Sequence, residues 1–405
     1  MDRSRIALLC LLLLPASPAS AEADETWQRA DEDIGESAFV AVASDLLAPA
    51  RILAASRHVV YVSDDGGLAW QGSWRVPAAT TLSRVAISPW EPPGFFALTD
   101  HGLYGSFDGG ARWSRVFRGV GEGEAQCTTI AFNPHQSGGI ALGTRGGLFI
   151  SPDRGHRWVK LRTPSGSREI VGLAFSLQDA DRLYLLTASN LFVGSPMGGR
   201  WEPRFTLIQT PEPATEEAET TEANDSEPAP AANQLRDVTL HPQHPATLYL
   251  AASRGVQAST DRGLTWQPLP RSGLDTAAVA RLLFPVSSPV LWAATSHSIA
   301  RYEPDRERWM PIATGLPAAR VNDLTATPTH VWAATDRGLY RLEHAPSDSS
   351  RPSPPSAREL FARISFPQLK FNGIEKCVQF TLRDDFLIDN SHDTVNHLLL
   401  RRKRK

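Results

Sequence analysis

Residues 63–70 read SDDGGLAW, and close variants recur at 106–113 (SFDGGARW), 151–158 (SPDRGHRW) and 259–266 (STDRGLTW). An internal repeat constrains a fold more than composition does, because each copy must be one supersecondary unit packed on its neighbours. The aspartates Asp65, Asp108 and Asp153 stand 43 and 45 residues apart. A decayed copy, SPMGGRW, puts Met197 in the aspartate position 44 residues on, and Asp261 follows after 64. The surplus is one insertion, placed at 209–233, whose text TPEPATEEAETTEANDSEPAPAANQ (210–234) has seven acids and no base and reads as a disordered segment between two units. A second decayed copy, YEPDRERW, ends at Trp309, 43 residues after Trp266, and VWAATDRGLYRLE at 331–343 begins a seventh unit.

Each unit has the same internal order. A short run such as RVAISP, TIAFNP or DVTLHP leads to a proline-marked turn, an alternating β-rich run such as FFALTDHGLY follows, and then come the box and a Trp-led strand. Four short strands repeating every 40–45 residues, with no helical period, describe a blade of an all-β propeller. The expected seven-bladed ring runs over 25–344, with four-stranded antiparallel blades near 36–78, 79–121, 122–165, 166–208, 234–273, 274–316 and 317–344. The last blade lacks its Trp-led strand, and ETWQRA at 25–30 resembles LTWQPL at 264–269, so the N-terminal segment 25–35 is expected to close the ring. On that reading Trp27, Trp70, Trp113, Trp158, Trp201, Trp266 and Trp309 supply one tryptophan per blade.

The box residues have local work to do. Its aspartate can accept main-chain N–H groups of its own turn, the glycine two residues on permits positive φ, the serine caps the preceding strand, and the tryptophan packs back over the hairpin. The full sets are Ser63, Asp65, Gly67 and Trp70; Ser106, Asp108, Gly110 and Trp113; Ser151, Asp153, Gly155 and Trp158; and Ser259, Asp261, Gly263 and Trp266. Calcium is the competing explanation, since S-x-D-x-G resembles part of an EF-hand loop. Most boxes offer one carboxylate and none has the closing bidentate glutamate, so no metal is expected.

The S-x-D-x-G-x-x-W pattern resembles the Asp-box, or BNR, repeat. Together with the proline turn and the GLY/GLF hairpins it is similar to the exported seven-bladed propellers related to the photosystem II stability and assembly factor, over roughly residues 25–344. Similar boxes occur in sialidases, xyloglucanases and the sortilin ectodomain, so the resemblance implies fold strongly and function weakly.

The compartment is read from the first residues. Arg3 and Arg5 precede the apolar run Ile6–Leu14, and Ala19-Ser20-Ala21 fits signal-peptidase cleavage before Glu22, which makes 1–21 a signal peptide and the protein periplasmic or extracellular. No later stretch approaches the roughly 20 apolar residues of a membrane helix. The formal net charge of −3 gives no reason to expect nucleic acid. Of the three cysteines only Cys127 and Cys377 follow the signal, too few for a disulfide scaffold, so a core must hold the fold.

Two catalytic devices were weighed. A sialidase-like tyrosine nucleophile fits poorly, because all six tyrosines (Tyr61, Tyr104, Tyr340, Tyr184, Tyr249 and Tyr302) occupy repeat positions. Paired carboxylates are the glycosidase device. Aligning the innermost strands places Phe39, Arg84, Thr129, Gly172, Asp237, Arg281 and Asp323 at one position near the channel mouth, with Asp237 and Asp323 flanking Arg281. The cation is expected to hold both carboxylates ionised, whereas a glycosidase needs one protonated. Arg84, Asp237, Arg281 and Asp323 are therefore candidates for a salt-bridged ring or a ligand site. His241 and His244 in HPQHP belong to the proline turn rather than to a metal site.

After Glu343 the text changes. APSDSSRPSPPSA reads as a linker, and four of the five lysines lie in the last 36 residues, which end in RRKRK. A partner-binding tail and the product of a shifted reading frame are both open for 345–405, the second fitting the composition shift better. The expected protein is a non-catalytic, exported scaffold for a protein partner, without a cofactor and read as a monomer. The alternative is a glycan-acting hydrolase or lectin-like carbohydrate binder.

Overall fold

Apolar residues in the second strand of each unit are packed on both faces, as a strand sandwiched between neighbouring sheets requires. Ile52–Ala55, Phe95–Thr99, Ile140–Thr144, Leu183–Leu186 and Trp292–Thr295 are buried along their whole length. Outer strands such as Gln71–Arg75 and Glu202–Thr206 are exposed or half-buried along their whole length. The computed structural model describes residues 25–121, 123–164, 169–208, 233–275, 278–285 and 288–344. The expected signal peptide, nearly all of the acidic insertion and the C-terminal tail lie outside these residues.

The described strands form seven four-stranded antiparallel sheets, one per unit. Blade one consists of Ala41–Ser44, Ile52–Ala55, Val59–Ser63 and Gln71–Arg75. Blade seven takes Val321–Ala326, His330–Thr335 and Gly338–Glu343 and is completed by Gln28–Arg29 from the N-terminal segment. That last pairing sets Gln28 against Arg341 and Arg29 against Tyr340, which closes the ring as expected. Hydrophobic burial is divided the same way. Among the described residues seven apolar clusters occur, each between two adjacent blades; Phe39, Ile52, Trp332 and Leu339, for example, fill the seam between blades seven and one.

The boxes turn the third strand into the fourth. In the first, Asp65 Oδ1 accepts from Ser63 Oγ at 2.8 Å and from the N–H groups of Leu68 and Ala69 at 3.0 Å. Ser63 Oγ in turn accepts the Gly67 N–H at 2.8 Å, so the serine binds inside the turn rather than capping the strand before it. The boxes at Asp108, Asp153 and Asp261 repeat the pattern. In the last of them the hydroxyl and N–H of Thr265 pull the Asp261 carboxyl down to about 2. Gly67 has φ +78°, and a Cβ there would run into the Trp332 ring of the preceding blade, so the position needs glycine for conformation and for clearance.

The tryptophans correct a local expectation. Each indole N–H crosses to the outer strand of the preceding blade, or to the residues beside it, instead of packing only on its own hairpin. Trp70 donates to Ala30 O (2.7 Å), Trp113 to Ser73 Oγ (3.0 Å), Trp158 to Val116 O (2.9 Å) and Trp201 to Arg162 O (3.1 Å). Trp266 reaches Arg204 O, Trp309 reaches Pro270 O and Trp27 reaches Ile312 O, all at 2.9 Å. The bond survives where the box has decayed: Trp201 and Trp309 are 8% and 1% exposed. Trp309→Phe keeps most of the ring but leaves the Pro270 carbonyl unpaired, so it is expected to lower the unfolding free energy by about 1–2 kcal/mol, and Trp309→Ala by about 3–5 kcal/mol, in urea titrations. Equal losses for the two would show that the N–H bond contributes nothing.

Candidate functional site

The innermost strand of each blade is hydrogen-bonded on one side only, so its other edge presents free N–H and C=O groups to the central channel. Five of these strands carry a register shift at the same place: between Leu82 and Arg84, Cys127 and Thr129, Leu235 and Asp237, Val279 and Arg281, and Val321 and Asp323. A bulge re-aims the side chain that follows it. The residue after each shift is one of the positions aligned from sequence. Blades one and four have no shift, and their equivalents by register are Ala41, opposite Ala55, and Gly172, opposite Leu186. Phe39, aligned to this position from sequence, lies two residues earlier and is wholly buried in the seam between blades seven and one. The sequence alignment is therefore off by two residues in blade one and correct in blade four.

Arg84, Asp237, Arg281 and Asp323 come together in the channel, and the last three stitch blades to one another. Arg281 Nε donates to Asp323 Oδ1 at 3.1 Å, joining blades six and seven. Asp323 Oδ2 accepts the N–H of Val42 on blade one at 3.4 Å. Asp237 takes its bonds from main chain, the N–H of Val238 at 2.9 Å and that of Leu282 on the next blade at 3.0 Å. Other polar residues make similar crossings, such as Ser83 to Cys127 O, Thr128 to Ile170 O and Asn322 to Phe39 O.

The electrostatics differ from the sequence expectation in one respect. Burial pushes the Asp237 carboxyl above its ordinary value, outweighing Arg281, the Leu282 N–H, Arg84 and the Val238 N–H. A neighbouring cation alone therefore does not keep it in the usual acidic range, because enclosure by the ring removes more solvation than the arginines return. Arg84 is under the opposite stress. Burial and then repulsion from Arg281 bring its guanidinium down to about 10, against the pull of Asp323 and Asp237. These side chains still touch channel water, being half-buried by exposed area while protein surrounds them on the ring's scale. Among the described residues Arg84 has no hydrogen-bonded or ion-paired protein partner.

Arg84 and Arg281 line a cavity of about 720 Å3 at one end of the channel. Arg145, Arg236 and Arg320 join them against two acids, Asp100 and Glu169, an excess of positive charge. Sequence reasoning missed these three rim arginines, which come from loops and strand starts of blades three, five and seven. Their signal is the arginine richness of the body, but only the ring brings them together. Asp237 and Asp323 do not line the cavity. The boxes lie at the opposite end of the blades, since antiparallel strands put the second-to-third and third-to-fourth turns on opposite faces.

Other candidates resolve as structural. His241 Nδ1 accepts the N–H groups of Gln243 and His244 at 3.1 Å, so it closes its own turn. The six tyrosines all lie within blade strands. Burial pushes the Cys127 thiol up to about 12, which leaves it un-ionised at the cavity wall. Among the described residues no cluster of three metal-ligating side chains occurs, and no helix is long and apolar enough to cross a membrane.

No family model matches the chain, and no curated protein matches it. Solved structures do. The chain is similar to YCF48 bound to D1 peptide, at 13% identity and TM-score 0.58 over 83% of this chain and 100% of that one. It is similar to YCF48 from Cyanidioschyzon merolae, at 13% identity and TM-score 0.55 over 79% and 98%. It also resembles the GH74 xyloglucanase from Xanthomonas campestris, at 17% identity and TM-score 0.53, covering 74% of this chain but only 51% of that enzyme. Similarity at this level establishes the seven-bladed architecture, which these proteins put to different uses.

Arg281 and Arg84 should respond oppositely to loss of charge. Arg281→Met strands the buried Asp323 carboxylate and is expected to cost about 1–3 kcal/mol in urea unfolding. Arg84→Met removes an enclosed, unpaired charge and should leave stability unchanged or raise it by up to about 1 kcal/mol. A loss at Arg84 as large as at Arg281 would mean that both merely hold the ring.

Proposed function

We propose that this chain is an exported, non-catalytic β-propeller scaffold that binds a protein partner through an acidic segment held at the arginine-lined channel mouth. The observation that carries the reading is Arg84, an enclosed guanidinium that lines the cavity and, among the described residues, has no hydrogen-bonded or ion-paired partner. A fold tolerates such a charge at a cost in stability when a ligand supplies the missing anion. Four further arginines around it suit an extended acidic segment rather than a single ion. That YCF48, a protein of the same fold, has been solved bound to a peptide supports a peptide as the ligand class. Residues 1–21, with their basic start, apolar run and small-residue end, support export.

The hydrolase reading draws on the likeness to the xyloglucanase and on the raised Asp237. Against it, both carboxylates are engaged, Asp237 by two N–H groups and Asp323 by Arg281 and the Val42 N–H, and neither lines the cavity. A general acid must reach the leaving group.

The test uses the mature protein with a fluorescent glutamate-rich decapeptide and its glutamine counterpart in polarisation titrations. The acidic peptide should bind, weaken with added salt, and lose about tenfold on Arg84→Gln or Arg320→Gln, equivalent to about 1.4 kcal/mol each. Equal binding of the glutamine peptide, or turnover of chromogenic glycosides that is lost in Asp237→Asn, would reject this function.

A further inference from the structure

The two arginines at the centre of the mouth are not equivalent. Arg281 has a carboxylate of its own in Asp323, whereas among the described residues Arg84 is ion-paired with none. Asp237 stands behind them. It gives its oxygens to the N–H groups of Val238 and Leu282 and acts on Arg84 and Arg281 through space, without a hydrogen bond to either. It is thus a negative charge already drawing on the cations that an incoming anion would need.

We propose that the channel mouth is a proton-coupled anion site, in which Asp237 competes with the bound anion for Arg84 and Arg281 and takes up a proton when the anion arrives. The proposal rests on the reading of the mouth as a site for anionic groups and adds its regulation. An anion settled against Arg84 and Arg281 cancels the support that these arginines give the Asp237 carboxylate. Burial already disfavours that carboxylate, so its neutral form becomes preferred. The balance is one proton taken from solvent onto a carboxylate oxygen, with no other bond made or broken.

The sign follows from linkage. Anion binding raises a carboxyl that already sits above its ordinary value of 3.8. Between the free-state and bound-state titrations, affinity falls as pH rises, by at most about tenfold per unit for one proton; above both it stays at its weak limit, below both at its strong limit.

The charged groups acting on Asp237 are Arg281 from blade six and Arg84 from blade two, and Asp323 from blade seven pairs with Arg281 and acts on Arg84. The equivalent positions on blades one, three and four, Ala41, Thr129 and Gly172, carry no charge. At the rim, Asp100 and Glu169 stand with Arg145, Arg236 and Arg320. Two imidazoles adjoin the rim, His101 against Asp100 and His297 against Ser296.

Isothermal titration of the mature protein with sodium sulfate, which does not itself titrate between about pH 5 and pH 8, tests the coupling directly. Repeating it in two buffers of different ionisation enthalpy counts the protons taken up by the wild-type protein, so no variant is needed for that arm. Uptake is expected, with affinity falling as pH rises. Asp237→Asn keeps an oxygen for the Leu282 N–H; it should bind sulfate about tenfold more tightly at the upper end of the range and take up fewer protons than the wild-type protein. No uptake by the wild-type protein, or the same uptake and pH profile in both proteins, would overturn the coupling while leaving the anion site intact. Sulfate binding to neither protein would overturn the coupling and the anion site together.

Discussion

Seven hydrogen bonds from tryptophan indoles to the outer edges of preceding blades set the terms for the rest of this molecule. A four-stranded sheet of this size has two apolar faces and cannot fold alone, so each blade is stable only when pressed between neighbours. The apolar clusters supply the pressure, but hydrophobic burial is non-directional and fixes no angle between sheets. The indole bond supplies the direction. It ties a residue of one blade to one main-chain position, or one hydroxyl, of the blade before it, and repetition of that offset makes the stack a ring. The seventh bond is made by Trp27 to Ile312 O, across the widest sequence separation, alongside the pairing of Gln28 and Arg29. The aspartate is less essential to this arrangement than the tryptophan: Met197 and Pro304 stand where it belongs, and both blades keep their indole bond.

The inner edge poses a different problem. Seven strand edges face a channel, and their free N–H groups must be met by water or by side chains. Asp237 and Asp323 meet two of them, on Leu282 and Val42. A carboxylate used in this way needs a compensating charge nearby, which Arg281 supplies to Asp323. Arg84 does not fit this economy. It repels Arg281, caps nothing and is enclosed. A group that contributes nothing to the scaffold's cohesion, and that lines a cavity, is better explained by what enters the cavity than by what surrounds it.

The architecture was legible in the sequence because a repeat reports itself seven times, so errors at Met197 or Tyr302 are corrected by the other copies. Ring closure was legible for the same reason: ETWQRA is recognisable only as the missing piece of a pattern. Interactions between blades were not legible. Nothing in SDDGGLAW says that Trp70 reaches Ala30, because a repeat gives the period and not the partner. The position of Phe39 failed for a related reason. In blade one the buried Phe39 and the channel position Ala41 stand two residues apart, and the repeat pattern alone does not say which of them meets the channel. The upward direction of the shift at Asp237 was not legible, because sequence shows charges in proximity but not the solvent that a ring excludes.

A repeated scaffold presents the same surface many times, whereas a binding site needs a place that occurs once. The propeller resolves this at the position after the inner-strand bulge. Around the ring that place reads Ala41, Arg84, Thr129, Gly172, Asp237, Arg281 and Asp323, and no two neighbouring blades repeat a residue. The small, uncharged residues of blades one, three and four open the channel, and the charged ones of blades two, five, six and seven set its field. Symmetry is therefore kept at the box face and outer strands, where it secures neighbouring blades, and is lost at the channel, where identical residues would give seven like charges in one enclosed space. Electrostatic repulsion alone forbids a ring of seven arginines or seven aspartates. An alternating, incomplete set with one guanidinium left over is what this closed ring holds instead.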